Sequence, residues 1–208
     1  LGAIPSAYLI TRWRIGQNIR LIGDGNAGAR NVWHVVGPGW GGLVAVLDAL
    51  KGVVAILLGR QLGVDVFALL LVGPAAILGH AFPFFLRFQG GKGLSTTMGI
   101  LLAWTPWSTT IGIAILVLMR VILRDFDRAI VWAAAGVILL PLAFGYPWTM
   151  SLYALVLFCL LWARKLQDLA HERKVWASSG WRDVDESFWY GESATSPESS
   201  VETPKNGV

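Results

Sequence analysis

Residues 64–93 read VDVFALLLVGPAAILGHAFPFFLRFQGGKG. From Val66 to Leu78 the stretch has no charged side chain, and only a Gly73-Pro74 step interrupts its large apolar residues. Such a run predicts a helix in an apolar environment. Beyond Pro83 the chain passes into Gly90-Gly91-Lys92-Gly93. Glycines let a loop present its backbone N–H groups and Lys92 adds charge, so this loop suits a phosphate or another oxyanion. Residues 23–31, GDGNAGARN, have the same character. Two anion-suited loops beside long apolar runs point to chemistry on a lipid precursor at a bilayer surface.

The rest of the chain agrees with a membrane setting. Charged residues make up 14% of the 208, against about a quarter in soluble domains, and the mean hydropathy is +0.58. Apolar segments fall at 1–11, 42–59, 64–85, 94–104, 109–123, 129–144 and 149–163. The expected fold is therefore all-α and integral to a membrane, with about seven transmembrane helices. Cations concentrate in alternate connections: Arg12, Arg14, Arg20 and Arg30; Arg87 and Lys92; Arg120, Arg124 and Arg128; then Arg164 and Lys165. The intervening connections hold only Arg60. By the positive-inside rule this puts the N-terminus outside, and the C-terminus and both glycine loops on the cytoplasmic side. Joining 94–104 to 109–123 as one span kinked at Pro106 would break the alternation. Residues 1–166 are read as the transmembrane domain. Residues 167–208 are read as a polar cytoplasmic tail, with a disordered Ser/Thr/Pro/Glu-rich end. The net charge of +4 is assigned to topology and anionic headgroups, so no nucleic-acid partner is expected.

Several motifs are excluded by context. Gly23, Gly25 and Gly28 fit a dinucleotide-binding spacing, with Asp48 some twenty residues on, but that fingerprint needs a strand-loop-helix unit. Lys92 is followed by Gly93, so the P-loop pattern fails. His34, His80 and His171 lack metal-ligand spacing, and no metal is expected. Asp48 and Lys51 share a helix face at membrane depth, which suggests a structural ion pair or a wall of a polar site. His80 closes its apolar run beside the second loop, where it either contacts substrate or is buried and hydrogen-bonded. Ser95 and Thr96 follow Lys92 at a helix start, another place that favours anions.

These residues resemble the bacterial membrane glycerol-3-phosphate acyltransferases that use acyl-phosphate, the PlsY family. Residues 2–10, GAIPSAYLI, are similar to that family's G-S-I-P-x-x-Y-L-I, and Asn18-Ile19-Arg20 to its D-I-R. Residues 23–31 resemble its first motif, G-S-G-N-x-G-A-T-N, and Asp48-x-x-Lys51-Gly52 matches D-x-x-K-G. Residues 79–97 resemble its second motif, G-H-x-F-P-x-F-x-x-F-x-G-G-K-G-x-A-T. The resemblance implies a seven-helix enzyme of the bacterial inner membrane. It would move an acyl chain from acyl-phosphate to the 1-hydroxyl of glycerol 3-phosphate, giving lysophosphatidic acid, with no cofactor. By the same resemblance, Asn26, Lys92 and His34 are the expected catalytic residues. Gly23, Asp24, Gly25, Gly28, Arg30, Asn31, His80, Gly90, Gly91, Ser95, Thr96 and His171 are expected to bind substrate, and a substrate phosphate to take the hydroxyl proton.

The chain departs from the family pattern at four of these places. Asp24 stands for Ser, Arg30 for Thr, His34 for Arg, and Lys174 for the Asn of a third motif, H-R-x-N-I, whose nearest counterpart begins at His171. A carboxylate repels phosphate unless it is protonated or paired. The alternative reading is therefore a paralogue that binds lipid or a partner without catalysis.

Overall fold

A computed structural model describes residues 1–179. Eight α-helices run through them: α1 (Ser6–Ile15), α2 (Ala29–Val35), α3 (Pro38–Gln61), α4 (Val66–Ala81), α5 (Leu94–Trp104), α6 (Pro106–Leu123), α7 (Phe126–Ala143) and α8 (Trp148–Ser179). Short 3₁₀ turns lie at Ile19–Leu21 and Phe84–Leu86. Local chemistry sets many of the ends. Asp65 caps α4 by accepting from the N–H groups of Phe67 and Ala68, and Asp125 caps α7 by accepting from Arg128 N–H. Proline opens α3 and α6 at the first turn, where its missing N–H costs nothing.

Each of the seven apolar segments becomes a helix, but five elements are long and apolar enough to cross a membrane: Pro38–Gln61, Val66–Leu86, Pro106–Leu123, Phe126–Ala143 and Trp148–Lys174. Helix α5 has eleven residues, roughly 16 Å of rise against a hydrocarbon core of about 30 Å. Its burial explains how so short an apolar helix is accommodated. Residues 96–101 are all buried, and Met98, Ile100 and Leu101 join Ile56, Ile77, Val137, Leu157 and Phe158 in the main core. Small residues let α3 and α5 approach backbone to backbone: a Cβ on Gly99 would strike the Ala49 carbonyl, and one on Gly52 the Thr96 carbonyl. Thr105, at φ −133° and ψ 68°, separates α5 from α6, so the chain breaks at Pro106 as two helices.

Two features depart from the sequence reading. Helix α2 was not expected, because its Arg30, Asn31 and His34 read as loop; it is fixed by packing of Val32 with Ala7, Ile10, Ile19, Ala27 and Val44 in a second core. Helix α8 continues through residue 166 to Ser179, so the line drawn between domain and tail falls inside a helix. The remainder of that tail, 180–208, lies outside the described residues.

Candidate active site

The first glycine loop is built by its own side chains. Gly23 and Gly25 adopt φ of 63° and 72°, the left-handed region that glycine tolerates. Asn31, fully buried at the start of α2, holds the loop closed. Its Nδ2 donates to the carbonyls of Ile19, Ile22 and Asn26 at 3.0–3.1 Å, and its Oδ1 accepts from Asp24 N–H at 3.2 Å. The Asp24 carboxyl turns back and accepts from Asn26 N–H at 2.9 Å. Burial pushes the Asp24 pKa up, against the opposing pull of Lys92, the Asn26 amide, Arg30 and His34.

The second loop is held from two sides. Gly90 N–H donates to the Ala81 carbonyl at 2.9 Å, and the Gly90 carbonyl accepts from Arg164 Nη2 at 3.3 Å. Gly91 lies where the loops meet: a Cβ there would sit 2.7 Å from the Ala27 carbonyl and collide with His80 Nε2. Gly93, at φ 92°, turns the chain into α5.

Helix α8 supplies the third side through Arg164, Asp168 and Glu172, spaced four apart on one face. Asp168 takes both arms of Arg20, at 3.1 and 3.3 Å, and lies 3.6 Å from Arg164 Nη1. Glu172, buried, pairs with Lys92. His171 Nε2 lies 3.2 Å from the Arg20 carbonyl, which can only accept, so the imidazole donates.

Between these elements lies a cavity of about 100 Å³. It is lined by polar Asp24, Asn26, Arg30, Asp48, His80, Lys92, Ser95, Asp127 and Lys165 and by apolar Leu94, Phe126, Ile130, Leu161 and Trp162. Lys165 Nζ is 2.6 Å from Asp127 Oδ2, and the Arg30 guanidinium lies over the Phe126 ring at 5.2 Å. Cations and apolar side chains thus line one cavity together, with Arg30 against Phe126 and Lys165 against Trp162.

Of the residues singled out in sequence, Asp24, Asn26, Gly28, Arg30, Asp48, His80, Lys92 and Ser95 line this cavity. Gly23, Gly25, Gly90 and Gly91 shape the loops behind it. Asn31 and His171 were expected to touch substrate; the side-chain amide of the first is spent on loop backbone, and Nε2 of the second on the Arg20 carbonyl. Thr96 is fully buried on α5. His34 lies outside the lining but close enough to act on the Asp24 charge. Phe126, Asp127, Ile130, Leu161, Trp162 and Lys165 were not singled out. The recurrence of polar residues at 164, 168 and 172 was a readable sign that α8 turns one face to the site.

The glycerol-3-phosphate acyltransferase family description matches residues 1–173. The chain belongs to that family. A glycerol-3-phosphate acyltransferase of Desulforudis audaxviator is 42% identical over 160 residues, 76% of this chain and 79% of that protein. One from Moorella thermoacetica is 40% identical over 160 residues, covering 75% and 80%. Among solved structures, the glycerol 3-phosphate form of PlsY, an integral membrane glycerol 3-phosphate acyltransferase, superposes with a TM-score of 0.72 at 28% identity, over 92% of this chain and 88% of PlsY. Its lysophosphatidic acid form gives 0.69 at 29%, covering 83% and 87%. This glycerol-3-phosphate acyltransferase is accordingly an all-α integral membrane enzyme of bacterial phospholipid synthesis.

Proposed function

We propose that this cavity carries acyl transfer from an acyl-phosphate to the 1-hydroxyl of glycerol 3-phosphate, releasing lysophosphatidic acid and inorganic phosphate. The observation that supports this most is the convergence of both glycine loops and Lys92 on one cavity that apolar side chains also line. Lys92, Arg30 and Lys165 face the phosphate oxygens, and Leu161, Trp162, Phe126 and Ile130 take the start of the acyl chain. The acceptor hydroxyl oxygen attacks the acyl carbonyl carbon. The bond from that carbon to the phosphate oxygen breaks, and the hydroxyl proton passes to a phosphate oxygen. The donor is a mixed anhydride with a good leaving group, so the protein's task is to position two anions and offset their charge. Asn26, whose Oδ1 has no hydrogen-bond partner among the described residues, faces the same cavity and is placed to orient the hydroxyl. PlsY in its glycerol 3-phosphate and lysophosphatidic acid forms supports the same acceptor and product for this chain.

The reading extends to topology. Seven crossings, with the N-terminus outside and the glycine loops at the cytoplasmic face of the inner membrane, follow the alternation of cations. The non-catalytic alternative has no support from the relatives described above, which carry the enzyme's name.

The test is acyl transfer by purified protein with palmitoyl-phosphate and labelled glycerol 3-phosphate, beside Lys92→Ala. Lysophosphatidic acid from the wild type, lost on the order of 10²-fold or more in the variant, supports the assignment. No product from folded wild-type protein, or undiminished transfer by Lys92→Ala, refutes it.

A further inference from the structure

At the cavity wall, Asp48 and His80 form a buried cluster with Lys51, each less than a tenth exposed. Lys51 Nζ has three neighbours at bonding range: the Ile4 carbonyl at 2.7 Å, Asp48 Oδ1 at 2.7 Å and His80 Nδ1 at 3.4 Å. An ammonium has three N–H donors and no acceptor, so Lys51 can only donate, to the Ile4 carbonyl and to His80 Nδ1, with Asp48 as its ionic partner. His80 Nδ1 must then present its lone pair to Lys51, and the ring proton must sit on Nε2. Asp48 does not reverse this preference, since its Oδ1 lies 3.9 Å from Nδ1, beyond hydrogen-bond reach. A doubly protonated ring would turn an N–H of Nδ1 against the ammonium.

His80 also lines the cavity, and its Nε2 faces Gly91, one residue before Lys92. With Nδ1 turned to Lys51, Nε2 is the ring nitrogen turned toward the loop that carries Lys92. We propose that Lys51 is a positioning residue that holds His80 as the Nε2–H tautomer, so that the imidazole offers a hydrogen-bond donor to a substrate oxyanion beside Lys92. His80 on this assignment is not a base, because the nitrogen facing substrate already carries its proton. The inference rests on the acyl-transfer reading for its substrate, but the tautomer itself does not depend on that reading.

The experiment is nitrogen-15 NMR of selectively histidine-labelled full-length protein in detergent micelles, with His80→Gln used to assign the His80 signals. The wild type is expected to show His80 neutral and protonated at Nε2. In Lys51→Met, and in Asp48→Asn/Lys51→Met, which leaves no lone buried charge, the signals should move toward a tautomer mixture. An Nδ1–H or doubly protonated His80 in the wild type overturns the proposal, as does an unchanged spectrum in both variants. Kinetics give the second arm. His80→Gln, whose side-chain amide places an N–H near the Nε2 position, should retain more kcat than His80→Ala, which should lose on the order of 10²-fold. Equal loss in the two variants overturns the donor role. Wild-type protein inactive in transfer, yet with His80 protonated at Nε2, would refute the function reading and leave the Lys51–His80 assignment standing.

Discussion

Lys92 reaches from the second glycine loop to Glu172 on α8, whose side chain is 1% exposed. The cation offered to substrate therefore already has a carboxylate partner, and an incoming phosphate must share Lys92 with it. Glu172→Gln keeps the side-chain shape and removes the competing charge. KM for the phosphate substrates should fall roughly three- to fivefold, about 1 kcal/mol. Steady-state kinetics with acyl-phosphate checks this; a raised KM would show that Glu172 orients Lys92 more than it competes for it.

Arg20 and Asp168 should matter unequally for stability. Asp168 is buried between Arg20 and Arg164. Asp168→Ala leaves two buried guanidiniums with no carboxylate between them and should cost about 3–5 kcal/mol. Arg20→Ala leaves Asp168 with Arg164 and should cost less. Thermal unfolding in detergent will rank the two variants.

Gly91→Ala tests the junction of the loops. The added methyl meets the His80 ring and the Ala27 carbonyl, and the latter is backbone that cannot swing aside. The loops must separate, which should lower kcat/KM on the order of 10²-fold. Equal activity in the transfer assay would mean that the junction opens during turnover.

Asp24 predicts a pH dependence. Burial raises its pKa, so the folded protein holds that proton more tightly than the unfolded chain does. Stability contributed by this group falls as pH rises from the ordinary carboxyl value of 3.8 through the raised value. Asp24→Asn should flatten that part of the curve, read as melting temperature against pH from about pH 4 to pH 8.

Much of the fold was legible because apolar segment length and glycine punctuation are local properties. Residues 64–85 announced α4 and the turn after it, and Gly90-Gly91-Lys92-Gly93 announced a loop. Helix α2 was hidden because its seven residues mix Arg30, Asn31 and His34 with four apolar ones in too short a run to show a period, and packing of Val32 against α1 and α3 fixes the helix. Helix α5 was legible as apolar but not as buried over residues 96–101, since burial depends on how closely Gly52 and Gly99 let its neighbours come.

For the site, the sequence by itself determined that two glycine loops, Lys92 and a membrane setting occur together, because chain order and residue chemistry carry that information. Only the tertiary structure decided which side chains face the cavity. Asn31 looked like a phosphate ligand until its amide was found on three backbone carbonyls. Asp168 and Glu172 looked like tail charges until α8 carried them beside Arg20 and Lys92, 148 residues and 80 residues away in the chain. Pairings over such separations are fixed by helix packing, and no local pattern records them.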